Sequence, residues 1–205
     1  MRKAYSKYLL HDNYDFNDDI YLNENMILGS ISFCYDVIDK LDEVLYKHSS
    51  SNLYSLIDTS NLSSILSNLL CQGIIKYSNS NYICNKVNTF PDIIDENYRY
   101  SGIEVKTAFN KNLPKGHLPK DGYYLIYRYC MTDEDGNRYF DMEDLWNTVS
   151  IWEVRFGYVT KNSFIISDTK NDSGKTAIIK TSTINNMTLL YSNPFLNPFK
   201  NIRIW

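Results

Sequence analysis

The first regular pattern of apolar and polar positions lies between residues 24 and 51. Apolar residues recur there at alternating steps of four and three, the period of one face of an α-helix. This face consists of Ile27, Ile31, Cys34, Ile38, Leu41 and Leu45. The pattern predicts a long helix that packs against a core, and a seam between two subunits is the alternative use of such a face.

A second helix is predicted at residues 59–75, after a serine-rich break at 49–51. Ser60 is the expected N-cap of this helix, because its hydroxyl can accept a hydrogen bond from a free backbone N–H. Gly73 is the expected C-terminal stop.

Residues 73–87 predict two short strands around a Ser-Asn-Ser-Asn turn. A helix followed by a small hairpin is the outline of a winged helix, a DNA-binding element, over residues 60–87. The same strands could instead begin the main sheet. Both interpretations are consistent with the pattern.

Beyond residue 90 the pattern changes to the two-residue period of β-strands. Ile103, Val105 and Thr107 alternate with Glu104 and Lys106, which places the two charged side chains on one face of a strand. Further strands are predicted at 122–131, 148–160, 163–169 and 174–184.

The order of these elements, helices first and strands after, indicates an α+β or mixed α/β fold. We expect a helical N-terminal region at residues 1–89 and a β-rich core at residues 90–205. A chain of 205 residues is long enough for one hydrophobic core, so the two regions are expected to form one compact domain.

The composition excludes several classes of protein. No apolar run approaches the roughly 20 residues that span a bilayer, and the N-terminus lacks the apolar core of a signal peptide, so we expect a cytoplasmic protein. The four cysteines form no C-x-x-C pair and there are only three histidines, which disfavours a zinc site. The net charge of −3 does not by itself indicate nucleic-acid binding.

The segment FPDIIDENYRYSGIEVKT, residues 90–107, carries the main candidate chemistry. Glu104 and Lys106 share one face of their strand, while Val105 points into the core. The segment before them is turn-rich enough for Asp92 to lie on or before a neighbouring strand. Two carboxylates beside an ammonium group make a hard-oxygen site for Mg²⁺. Such a site can activate water and stabilise charge on a phosphate, as phosphodiester hydrolysis requires.

Other interpretations of these residues remain open. Glu104 and Lys106 could form the solvated face of an edge strand, with Asp92 in a turn after the proline. Asp95 or Glu96 could replace Asp92 at a metal ion if the loop were folded differently.

The pattern Pro-Asp, eleven residues, Glu-Val-Lys resembles the PD-(D/E)-x-K motif of the nuclease superfamily that contains most type II restriction endonucleases. The resemblance covers residues 90–130. It implies that Asp92 and Glu104 bind the metal ion and that Lys106 is the catalytic lysine. It also implies that the Val105 carbonyl is a further metal ligand. The implied fold is restriction-endonuclease-like, a central mixed sheet flanked by helices, and the implied assembly is a homodimer that cuts palindromic duplex DNA.

A basic stretch without acids covers the end of the motif and the residues after it, at 106–120. Its cationic side chains, and an arginine on the next predicted strand, are candidate contacts to DNA phosphates or base edges. These candidates are Lys111, Lys115, His117, Lys120 and Arg128. A solvent-exposed loop is the alternative, because the stretch is rich in proline and glycine. The SGKT sequence at 173–176 lacks the first glycine of a phosphate-binding loop, so a turn that touches the DNA backbone is expected there.

The sequence therefore predicts a Mg²⁺-dependent type II restriction endonuclease that cuts double-stranded DNA as a homodimer. The resemblance implies 5′-phosphate products. In a bacterial or archaeal host, a paired DNA methyltransferase would protect the host's own DNA. The alternatives are a DNA repair or junction-resolving nuclease of the same superfamily and a non-catalytic winged-helix DNA-binding protein.

Overall fold

The computed structural model describes residues 2–14, 16, 18–138, 147–167 and 176–199. Helix α1 spans Glu24–Ser49, as its apolar stripe predicts, and the Asn23 side chain caps it by accepting a hydrogen bond from the N–H of Met26. The first four residues of the stripe are buried, whereas Leu41 is 41% exposed. The stripe is thus a core face over the N-terminal half of α1.

Two further helices follow α1 closely, α2 at Leu53–Leu56 and α3 at Thr59–Lys76. The N-cap of α3 is Asp58, whose carboxylate accepts hydrogen bonds from the N–H groups of Ser60 and Asn61. The prediction of Ser60 as the N-cap is therefore wrong by two positions. An aspartate carboxylate accepts both bonds at once and adds a negative charge at the positive end of the helix.

Gly73 does not end α3, which continues to Lys76. A Cβ atom at Gly73 would lie 2.5 Å from the Cα of Ser30 on α1. The glycine is thus required for the close approach of α3 to α1, and the prediction that it is a C-terminal stop is wrong.

Nine strands, one more α-helix and a short 3₁₀ helix at Lys161–Ser163 follow within the described residues. The strands are β1 (Ile83–Cys84), β2 (Ile93–Ile94), β3 (Ile103–Phe109), β4 (Lys115–Gly116), β5 (Gly122–Thr132), β6 (Thr148–Val159), β7 (Phe164–Ser167), β8 (Thr176–Ile179) and β9 (Thr188–Ser192), with α4 at Thr181–Asn186. The central sheet has the order β1-β2-β3-β5-β6-β9 and a smaller sheet has the order β4-β8-β7. Among the strands of the described residues, only β3 and β5 pair in parallel. The fold is mixed α and β with a mostly antiparallel central sheet.

The hairpin predicted at residues 73–87 is not formed. Residues 73–76 form the last turn of α3, because Ile74 is fully buried in the core there. The second predicted strand, β1, pairs with β2 and so begins the central sheet. The winged helix considered for residues 60–87 is therefore not formed, and the alternative, in which these residues lead into the main sheet, is correct.

The later strand predictions are largely confirmed. β5 and β6 cover the predicted strands at 122–131 and 148–160. The strand predicted at 174–184 is only partly formed, because α4 replaces its second half and directs Ile184 into a buried cluster.

The two faces of the central sheet have different environments. Helices α1 and α3 pack on one face, against buried side chains such as Val105, Leu125 and Tyr127. The opposite face carries Glu104 and Lys106, next to an apolar cluster that the smaller sheet covers. The charged positions of β3 therefore lie on the face away from the helices. No helix within the described ranges has the length and apolar character needed to cross a membrane.

Candidate active site

The short strand β2 brings Asp92 beside β3. The two strands pair only at Ile93 and Ile103, so Asp92 lies where they diverge. Its carboxylate accepts a hydrogen bond from the N–H of Val105 (2.9 Å), and its own N–H donates to Oε2 of Glu104 (3.1 Å). Backbone hydrogen bonds therefore hold the two acids side by side.

Lys106 lies between the two carboxylates. Its Nζ is 2.5 Å from Oε1 of Glu104 and 4.0 Å from Oδ2 of Asp92. Strand alternation accounts for the Glu104–Lys106 contact, and the turn before β3 accounts for the approach of Asp92. The structure thus brings together the three residues of the motif.

The two acids differ in their exposure to solvent. The Glu104 side chain is 11% exposed and that of Asp92 is 35% exposed. Burial raises the pKa of Glu104, the Lys106 ammonium opposes this shift, and the charge of Asp92 adds to it. One ammonium group therefore does not offset both desolvation and repulsion, and a bound cation would stabilise the pair.

The donor atoms at this position fit Mg²⁺. Asp92 and Glu104 supply carboxylate oxygens, and the Val105 carbonyl, which accepts a hydrogen bond from Oγ of Ser67 (3.0 Å), has a second lone pair. Among the described residues, no group of three or more His, Cys, Asp or Glu side chains could hold a metal ion. Mg²⁺ does not need such a group, because it is commonly bound through one or two carboxylates and keeps several waters.

The site lies in a cleft of about 660 Å³. Helix α3 forms one wall and residues 112–120 form the other. Lys115, His117 and Lys120 of the basic stretch line the cleft. Strand β4 belongs to this stretch and pairs with β8, so the wall is part of the smaller sheet rather than a free solvent loop.

Two other predicted DNA contacts do not line the cleft. Lys111 lies with its Nζ 5.5 Å from the centre of the Phe199 ring. The Arg128 side chain is only 8% exposed, and its guanidinium is 3.0 Å from Oε1 of Glu153. The ring of Phe199 also covers Arg128, at 5.2 Å. A buried and paired guanidinium cannot reach DNA in this conformation, so the structure does not support the prediction for Arg128.

Asp95, the rival to Asp92, has a structural role. Its carboxylate accepts hydrogen bonds from the N–H groups of Asn97, Arg99 and Tyr100, and it also pairs with the Arg99 guanidinium. These contacts hold the turn before β3. Glu96, the other rival acid, is exposed on the same turn. Of the turn predicted at residues 173–176, residues 173–175 lie outside the described residues, and Thr176 is the first residue of β8.

Sequence reasoning did not identify two side chains at the site, Ser67 and Tyr124. Ser67 belongs to a polar face of α3 that the helical period could have indicated, since Ser60, Ser63, Ser64 and Ser67 fall on one side of the helix. Tyr124 pairs with Glu104 across β3 and β5. Burial and then the charge of Glu104 raise the pKa of Tyr124, so its hydroxyl stays protonated.

No protein-family model matches the sequence, and no curated protein is significantly similar to it.

Proposed function

We propose that this protein is a Mg²⁺-dependent endodeoxyribonuclease of the PD-(D/E)-x-K type. The observation that carries the proposal is the meeting of Asp92, Glu104 and Lys106 in a cleft that has a basic wall. The acids suit a hard cation, and the basic wall suits the phosphate backbone of DNA.

In the proposed reaction, Asp92, Glu104 and the Val105 carbonyl would hold the metal ion. The ion would polarise a phosphoryl oxygen and lower the pKa of a bound water. Lys106 orients the attacking water or stabilises the negative charge that develops on the phosphate. Lys115 and Lys120 bind neighbouring phosphates and align the strand.

The proposal extends to a type II restriction endonuclease with a restriction-endonuclease-like fold. Two subunits would each cut one strand of double-stranded DNA and leave 5′-phosphates, and a paired methyltransferase would protect the host's DNA. The motif in its apolar β-strand frame, GIEVKTAF at residues 102–109, supports this assignment. The parallel pair formed by β3 and β5 is consistent with the mixed sheet of that superfamily.

The test is cleavage of a long phage DNA by the purified protein, with Mg²⁺ and with a chelator, beside Glu104→Ala and Lys106→Ala. We expect discrete bands from the wild type with Mg²⁺ and none from the variants or with the chelator. Equal cutting by the variants would overturn the assignment of the site. DNA that stays intact under all conditions would overturn the restriction activity.

A second candidate is a nuclease that acts on branched or damaged DNA in repair. The observation in its favour is the depth of the site, because Glu104 is almost buried in a cleft of a size typical of small-ligand pockets. A strand that is unpaired at a branch enters such a cleft more readily than an intact duplex. Faster cleavage of flap or junction substrates than of linear duplex would favour this candidate.

A further inference from the structure

The edge of β3 that faces away from β5 has no neighbouring strand over most of its length. Beyond Ile103, no described strand pairs with this edge, and α3 contacts β3 there through side-chain hydrogen bonds. The hydroxyl of Thr107 donates to the carbonyl of Ser63 (2.8 Å), and the hydroxyl of Ser67 donates to the carbonyl of Val105 (3.0 Å). The Ser67 side chain therefore makes a contact with the Val105 carbonyl that a neighbouring strand would otherwise make.

Both backbone polar groups of Val105 are bound by residues of the cleft. Its N–H donates to Asp92 and its carbonyl accepts from Ser67. A carbonyl oxygen has two lone pairs, so the Ser67 hydroxyl leaves one of them for another partner. Ser67 is half-buried and lines the same cleft as Asp92 and Glu104.

We propose that Ser67 is a positioning residue for the metal ion, a role that rests on the proposed nuclease function. The Ser67 hydroxyl fixes the direction of the Val105 carbonyl at a point where β3 has no neighbouring strand. In this role, the second lone pair of the carbonyl would be left for the cation that Asp92 and Glu104 would hold. Groups that orient a metal ligand in this way typically change metal affinity about 10–100-fold when they are removed.

The chain offers matched variants for this role. Ser67→Ala removes the hydroxyl, Ser67→Thr keeps it, and Ser67→Cys replaces it by a weak donor of similar shape. Ser64→Ala is the control, because Ser64 lines the same cleft but its hydroxyl donates to the carbonyl of Ser60 within α3 (3.1 Å). Circular dichroism and thermal melting show whether each variant folds. If Ser67→Ala does not fold, Ser67→Cys is used in its place.

The measurement is Mn²⁺ binding by isothermal titration calorimetry, which does not depend on activity. We expect about 10–100-fold weaker binding for Ser67→Ala, an intermediate loss for Ser67→Cys, and affinities within twofold of the wild type for Ser67→Thr and Ser64→Ala. The Mg²⁺ concentration for half-maximal DNA cleavage should rise in the same order.

The outcomes separate this inference from the function on which it rests. Wild-type affinity for Mn²⁺ in the folded Ser67→Ala or Ser67→Cys protein would overturn the role of Ser67 and leave the nuclease proposal intact. An equal loss in Ser64→Ala would also overturn it, because the effect would belong to the helix rather than to the Val105 contact. A wild-type protein that binds no Mn²⁺ would overturn the metal site itself, and with it both proposals.

Discussion

The backbone N–H of Asp92 donates a hydrogen bond to the Glu104 carboxylate, across 3.1 Å. This bond ties the two acids of the motif together through the main chain. The Asp92 carboxylate is fixed in turn by the N–H of Val105. These two hydrogen bonds fix the positions of the two acids without a cation, so little rearrangement would be needed to bind one.

Glu104→Gln tests whether the charge of this residue is needed rather than its shape. The amide oxygen can still accept the bond from Asp92, but the negative charge is lost. We expect DNA cleavage to fall by at least about 10²-fold. The melting temperature should equal or exceed that of the wild type, because removing a buried charge and its repulsion from Asp92 outweighs the loss of its pairing with Lys106. Glu43→Gln, at an exposed position of α1 that pairs with Lys47, is the control. Normal cleavage by Glu104→Gln would exclude Glu104 as a metal-binding residue.

Metal binding should also be visible as a gain in stability without any DNA. A ligand that binds only the folded state adds about 2.7 kcal/mol to the free energy of unfolding at one hundred times its dissociation constant. We expect Mg²⁺ to raise the melting temperature of the wild type by several degrees relative to chelator. Asp92→Asn should lose most of this gain, since its amide can still accept the bond from Val105 but carries no charge. The same rise in both proteins would show that the ion binds elsewhere.

The lysines of the basic stretch should differ in their effect on DNA affinity. Lys115 and Lys120 line the cleft, whereas Lys111 lies beside Phe199. Removing a phosphate contact lowers the slope of affinity against salt concentration by about one. We expect this for Lys115→Ala and Lys120→Ala, measured by fluorescence anisotropy with Ca²⁺ in place of Mg²⁺, and no change for Lys111→Ala. Equal effects of all three would indicate a nonspecific response to net charge.

Asp95→Asn should affect stability and not catalysis. Burial alone would raise the pKa of Asp95, but hydrogen bonds from Asn97 and Arg99 outweigh it and hold the pKa below its usual value. A carboxyl with a lowered pKa stabilises the folded state at neutral pH, and this contribution disappears as the pH falls below about 4. Denaturant unfolding should give a lower free energy of unfolding for the variant than for the wild type at pH 7. This difference should become smaller as the pH is lowered. Loss of cleavage in a folded Asp95→Asn protein would instead make Asp95 a competitor of Asp92.

Local patterns predicted the elements that carry the site, because the periods of α1 and β3 are set by residues close in sequence. The turn-rich segment before β3 also led to the prediction that Asp92 lies next to Glu104 and Lys106. The errors involve contacts with other parts of the chain. A glycine such as Gly73 is typical of helix ends, but here its small size is needed because α3 packs closely on Ser30 of α1. Arg128 is buried and paired with Glu153, 25 positions away, and no local pattern reveals that pairing.

The hydrogen bonds that Val105 makes have a consequence for the behaviour of the protein at high concentration. A strand with a free edge is a template on which another chain can add a strand, the first step of ordered aggregation. The N–H and the carbonyl of Val105 are already bonded to Asp92 and Ser67, so an incoming strand would have to break both bonds to pair there. The edge of β3 at Val105 is therefore protected from intermolecular β-pairing.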